Sequence, residues 1–277
     1  MTHTRRILSR SIATVIALAA AKAAAANLIW DANAATVPNP FDGANTWDIV
    51  TARFWNGTTN VPWANSTGDV AVFGTGGSLL NGIPGAVTVS GALTTGGLDF
   101  EAYFGNAVKY NITGGTSLTL GGAAPGIAVN TTWVRPFAAI NTILAGTAGI
   151  DVTTTGNGIL EFGGQANTFT GGLRLQAGAS LSIAGDLGLG AAGNALTFAG
   201  TSTLITQTTF TEAATHAVTI ANGSTAKFDS LNGQTLTLSS AVTQTGGAGS
   251  LQKEGLGGLT LTAGSSYTGE TRGGRGR

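Results

Sequence analysis

The chain has 277 residues, no cysteine, 44 glycines, 6 prolines and 9% charged side chains, with equal numbers of basic and acidic groups. Without cysteine it has no disulfide, no thiolate metal site and no cysteine nucleophile, and its glycine lacks the G-X-Y period of collagen. A hydrophobic content of 42% rules out disorder throughout.

Residues 1–26 read as a cleaved signal peptide. Arg5, Arg6 and Arg10 form a positive n-region, residues 11–21 an apolar stretch, and Ala24-Ala25-Ala26 a small-residue cleavage site. The apolar stretch is too short to span a bilayer, which takes about 20 residues. Residues 27–271 then hold six basic and thirteen acidic side chains, a charge of about −7. A sparsely charged, mildly acidic body argues against nucleic acid as a partner.

Residues 27–77 are rich in aromatics: Trp30, Phe41, Trp47, Phe54, Trp55, Trp63 and Phe73. Glycine-rich rungs lack bulk, and an open stack of strands exposes both its core and an unpaired edge. This segment is therefore expected to cap one end of the stack.

Residues 78–271 alternate short apolar runs with Gly, Asn and Ser turns. Strands are expected at Ala86–Ser90, Gly97–Phe100, Val108–Ile112, Ser117–Leu120, Gly149–Val152, Gly158–Phe162, Gly172–Leu175, Ser180–Ile183, Ala195–Phe198, Ser202–Ile205, His216–Ile220, Ala226–Phe228, Gln234–Leu238 and Leu259–Thr262. Thr211–Ala217 alone has a weak helical period. This cadence suits a sandwich, a barrel or a β-helix. Internal similarity favours the last, because Leu160-x-Phe162 with Phe169-Thr-Gly171 lines up with Leu259-x-Leu261 and Tyr267-Thr-Gly269. The repeat copies lie near 156–173 and 249–271, and a rung of about 20–25 residues is expected. Residues 272–277 form a disordered basic tail.

The later copy, Leu251-x-Lys253-x-Gly255-x-Gly257-x-Leu259-x-Leu261 followed by Gly264, Tyr267, Gly269 and Thr271, resembles the autotransporter-associated β-strand repeat. The resemblance covers about twenty residues; Ala263 takes the usual glycine position and a serine replaces the usual asparagine. It implies an all-β, right-handed parallel β-helix (β-solenoid), the passenger of an exported bacterial surface protein. It also implies an outer-membrane barrel translocator as partner, which this chain does not contain. On that reading the chain is truncated before its barrel. The last repeat would lie exposed and fray, since Arg272–Arg277 offer no apolar residue to continue it.

Few residues suggest chemistry. His216 is the only histidine after the leader and is expected at the surface, so no catalytic triad can be assembled. Gly188–Gly193 fits G-x-G-x-x-G but has no βαβ unit around it. No catalytic, cofactor or metal residue is assigned. Asp99 and Glu101 share one strand face and read as two solvated charges, with paired glycosidase carboxylates as the alternative. Trp47, Trp55 and Trp63 are candidate glycan contacts beside their reading as cap residues. The expected function is a non-enzymatic, adhesin-like structural stalk at the cell surface or outside the cell (periplasmic without a translocator), with a host or cell-surface glycan or protein as partner. The alternative is a secreted carbohydrate-binding or polysaccharide-cleaving β-helix.

Overall fold

The computed structural model describes residues 26–34, 40–74, 82–101, 108–123 and 125–274, without the side chains of 131–137. The sequence-predicted signal peptide therefore lies outside the described residues, apart from Ala26.

The chain is a β-solenoid of about seven turns. Successive turns stack in parallel on three faces. Sheet 1 carries one column down the molecule: Leu28, Ala71, Leu98, Ile127, Val152, Leu175, Phe198, Ile220 and Gln244 occupy a single register position. Sheet 2 repeats the arrangement with Val87, Ile112, Ile140, Phe162, Ile183, Thr206 and Ser230. Sheet 3 is seen in two parts, Leu93–Leu118–Leu144 and Phe210–Leu236–Leu259.

Alternation decides which side chains enter. In Thr225–Ser230 every second residue is buried, and in Thr235–Leu238 Leu236 and Leu238 are buried between exposed-side threonines. The strand period of two sends one set inward, and the parallel register then stacks like on like from turn to turn. Leu173 pairs with Leu196, Leu196 with Val218 and Val218 with Val242, steps of 23, 22 and 24 residues. The expected rung length holds here, although earlier turns are longer, as Leu98 pairs with Ile127.

Sheets 1 and 2 are continuous at two turns. Gly126–Asn141 and Ile150–Phe162 each run through the corner as one strand. The second replaces two expected short strands, Gly149–Val152 and Gly158–Phe162. Gly156, with φ of 63°, lets the chain bend there while its partner strand bends beside it. Thr211–Ala217 is not helical. Phe210–Glu212 is a strand of sheet 3 and a turn follows, because stacking against Leu236–Leu238 outweighs a weak local period.

The aromatic cap lies at the first turn. Trp30, Trp47, Phe54, Trp63 and Phe73 are all buried, with ring centroids 4.6–6.0 Å apart. The outer edge of Asn27–Trp30 is covered by Phe54–Trp55, which runs antiparallel to it and pairs in turn with Asn60–Val61. An antiparallel hairpin across the end of a parallel stack satisfies an edge that would otherwise be a template for pairing.

The two similar stretches occupy different faces. Leu160 and Phe162 belong to sheet 2, whereas Leu259 and Leu261 belong to sheet 3. Phe169 falls in sheet 3, where Thr168 and Thr170 donate to the carbonyls of Leu144 and Gly146. Tyr267 falls against sheet 1, where Ser266 donates to Val242. The same local pattern, two inward apolar residues and then an aromatic before glycine, serves whichever two faces flank a corner.

The glycines of the later stretch are steric requirements. Gly255 has φ of 68°, and a Cβ there would meet Asp229 Oδ1. A Cβ on Gly257 would lie 2.2 and 2.3 Å from the carbonyl oxygens of Gln234 and Leu231, so the corner closes only without a side chain. Leu259, Leu261 and Tyr267 are half-buried against the core. Beyond them Thr271–Gly273, which includes Arg272 and Gly273 of the expected tail, pairs in parallel with Leu251–Lys253. Backbone hydrogen bonding to an existing edge needs no apolar side chain, which is why the sheet extends where the sequence offers none.

Candidate functional site

Three places bring polar or aromatic side chains together. The first is the cap. Trp47 and Trp63 are 0% and 1% exposed and pack edge to face at 5.1 Å, so neither presents a ring face to a glycan. Their burial withdraws both from the glycan contact that the sequence offers for them. The cap needs their bulk inside, and Trp63 Nε1 spends its donor on the Thr94 carbonyl at 2.8 Å. Trp55 is half-buried and keeps part of its surface.

The second is the carboxylate pair on sheet 1. Leu98 and Phe100 point into the core, which turns Asp99 outward. Asn130, one turn along, donates its side-chain amide to Asp99 Oδ1 and Glu101 Oε1, each at 2.9 Å. One amide thus bridges the two carboxyls. Burial first, and the neighbouring charge of Glu101 second, push the Asp99 carboxyl up to about 6. The pair shares a face as the sequence indicates, but it is a joined, half-buried unit and not two solvated charges. Glycosidase carboxylates stand about 5 Å or more apart with the scissile bond between them. Here the Asn130 amide, in contact with both carboxyls, occupies the position between them.

The third is a groove on the outer surface of sheet 2, about 650 Å³ in volume. Thr203, Lys227 and Gln252 form one outward column, and Ile205, Asp229 and Glu254 the next. Lys227 Nζ lies 3.3 Å from Glu254 Oε1. Asp229 has no hydrogen bond or ion pair among the described residues; burial, with Glu254 second, raises its carboxyl above the usual range. Leu231 and Leu256 stand at the adjoining corner, 45% and 62% exposed. No local motif announces this groove. Its walls come from turns about 24 residues apart and meet only through stacking.

His216, expected at the surface, is 2% exposed. Its Nδ1 donates to the Asn194 carbonyl at 2.8 Å, and Nε2 faces Asp186 Oδ2 at 3.7 Å. The turn at 213–216 folds the ring beneath the corner that holds the 3₁₀ segment Asp186–Leu189, which a reading of one strand in isolation cannot show. No group of three or more His, Asp or Glu residues suited to a metal ion occurs among the described residues.

The unbroken parallel columns, the corner glycines of the repeat and the aromatic cap define this chain as a capped β-solenoid, an architecture consistent with an autotransporter passenger. It is similar to the Adhesin BmaC autotransporter of Brucella suis biovar 1 (strain 1330), with 34% identity over 186 residues. That match covers 65% of this chain but spans only 5% of the length of the adhesin. No family model and no solved structure matches the chain.

Proposed function

We propose that the chain is a non-enzymatic, adhesin-like structural passenger, exported by the leader at 1–26 and displayed at the cell surface by an outer-membrane barrel translocator. The observation that carries this reading is the continuous core column from Leu28 to Ile220, which makes the molecule a rod with a filled interior. Such a rod holds surface residues at fixed spacings along its length and can project them from a membrane. The relative named as an adhesin supports the same assignment. The partner is a host or cell-surface protein.

The carbohydrate-cleaving alternative finds no support in the Asp99–Glu101 geometry. Glycan binding would have to rely on Trp55, since Trp47 and Trp63 lie inside the cap.

The test coats beads with residues 27–277 and counts their attachment to cultured epithelial cells, with the same beads incubated in parallel on soluble polysaccharides. Attachment several-fold above albumin-coated beads, without polysaccharide turnover, is the expected result. Attachment at the albumin level, or release of reducing ends, overturns the proposal.

A further inference from the structure

In an Asn-Gly pair no Cβ on the second residue keeps its backbone nitrogen away from the asparagine carboxamide. The chain has five such pairs, and those beginning at Asn56, Asn157, Asn222 and Asn232 lie wholly among the described residues. The fold treats them differently. Asn157 and Gly158 lie inside the long strand Ile150–Phe162, where Gly158 is buried in register with Arg135. Asn56 has its Oδ1 held by the backbone N–H groups of Thr58 and Thr59 and by the Thr58 hydroxyl. Asn222 and Gly223 form a tight turn closed by the Ser224 N–H on the Ala221 carbonyl, and the Gly223 N–H donates to the Ala248 carbonyl at 2.8 Å. Asn232 and Gly233 form the same kind of turn, closed by the Gln234 N–H on the Leu231 carbonyl at 2.9 Å, with φ of 75° at Gly233. Both of these residues are exposed, and the Gly233 N–H has no hydrogen-bond partner among the described residues. A Cβ on Gly233 would meet nothing within 4 Å, so the turn stands in open space.

We propose that Asn232 is a modification site, where the folded protein deamidates spontaneously through its own backbone. Hydroxide removes the Gly233 N–H proton, and the nitrogen attacks Cγ of Asn232. The Cγ–Nδ2 bond then breaks, and ammonia leaves with a proton taken from water, which restores the hydroxide. The product is a cyclic imide. Water opens it at either carbonyl, giving aspartate or isoaspartate. The sum is one water consumed and one ammonia released, with no change of oxidation state. The attack requires the peptide between Asn232 and Gly233 to rotate out of its turn orientation. At Gly223 the same rotation first breaks the bond to Ala248, and the net worth of one ordinary hydrogen bond makes Asn222 about fivefold slower. At Gly233 no such bond stands in the way, and exposed loop tips are where a folded backbone opens most readily. Either product puts a new carboxylate on the surface that Asp229 and Glu254 already line. Isoaspartate also adds a methylene to the main chain between the strands Thr225–Ser230 and Thr235–Leu238.

The inference rests on no functional reading of the chain and stands or falls apart from the stalk proposal. The test incubates folded residues 27–277 in mildly alkaline buffer and follows each asparagine by tryptic peptide mapping and mass spectrometry; Lys227 separates Asn222 from Asn232 in the digest. Isoaspartate is read by methyl transfer from S-adenosylmethionine with an isoaspartyl methyltransferase. Asn232 is expected to convert about fivefold faster than Asn222, and ahead of Asn56 and Asn157, with isoaspartate among its products. In guanidinium chloride the rates at Asn222 and Asn232 are expected to converge, because the unfolded chain presents both pairs alike. Asn232→Gln, whose longer side chain would have to close a larger ring, should abolish the conversion at that position, and circular dichroism checks that the variant is folded. Asn222 converting as fast as Asn232 in the folded protein overturns the proposal. So does an Asn232 that stays intact while the unfolded chain deamidates. Aspartate formed at Asn232 without isoaspartate means direct hydrolysis of the side chain and overturns the backbone route.

Discussion

Ser240 donates both its backbone N–H and its hydroxyl to the buried carboxylate of Glu212, at 3.1 Å each. Glu212 is 0% exposed and sits at the head of a core column that continues as Leu238 and Leu261. A third donor, the backbone N–H of Ser239, reaches the same carboxylate at 2.9 Å. The acid is thus an internal cap for the bend that carries the chain from sheet 3 back to sheet 1.

Removing that acceptor should be costly. Glu212→Ala leaves the two backbone donors of Ser239 and Ser240 without a partner in the interior, a loss of about 3 kcal/mol. Glu212→Gln, which retains one acceptor oxygen, should lose less than half as much. Urea denaturation followed by circular dichroism separates the two, and equal midpoints for Ala and parent would remove the capping role.

Trp47 tests the cap. It packs on Phe54, Trp63 and Phe73, with its nearest ring centroid 5.1 Å away. Trp47→Ala should cost roughly 3–5 kcal/mol, the range for emptying a buried aromatic site. In a stack of turns the loss falls first on the neighbours of the damaged one. Hydrogen exchange should therefore rise at Asn27–Trp30 and Val70–Phe73 and stay near parent values at Val218–Ala221. Uniform acceleration along the chain would show that the cap does not act locally.

Gly257→Ala should destabilise the corner between Glu254 and Gly258, because two carbonyl oxygens occupy the space of its Cβ. Gly264→Ala, where nothing lies within 4 Å of a new Cβ, is the matched control and should stay within about 0.5 kcal/mol of the parent. Thermal unfolding that ranks the two variants in the opposite order would contradict the steric account of the repeat.

Acidity bears on Asp99. Its carboxyl is held near 6 in the folded state against an ordinary value of 3.8, by burial and then by Glu101. The folded chain therefore holds this proton more tightly than the unfolded chain. The stabilisation is present below about pH 4 and is lost as pH rises to about 6. Asp99→Asn should accordingly gain stability relative to the parent as pH rises from 4 to 7, and the gain should level off above that. Urea midpoints measured at pH 4.5 and 7.5 read the difference, and a gain that shrinks with rising pH would refute the assignment.

Much of the solenoid is legible locally. Runs such as Ser117-Leu-Thr-Leu120 and Thr235-Leu-Thr-Leu238 carry their inward and outward faces in their alternation, and both are strands of sheet 3. The repeat marks which corners are tight. The long strand Gly126–Asn141 was not legible, since its identity as one element depends on two different neighbours, Gly97–Phe100 at one end and Tyr110–Gly114 at the other. His216 misled for the same reason: its burial is supplied by Asn194 and Asp186, more than twenty residues earlier.

Local pattern is enough to specify stacked short strands around an apolar interior, with bulky aromatics gathered toward one end. Period-two alternation, abundant glycine and scarce charge leave the chain few other ways to bury its leucines, valines and phenylalanines. The tertiary structure alone decided which residues of separate turns become neighbours. The step between turns varies, from 20 residues between Leu251 and Thr271 to 43 between Leu28 and Ala71, and no local pattern encodes a variable step. Stacking therefore decides that Asp229 lies between Ile205 and Glu254 and that Leu160 and Leu259 face different sheets, because register between turns is a property of the whole column.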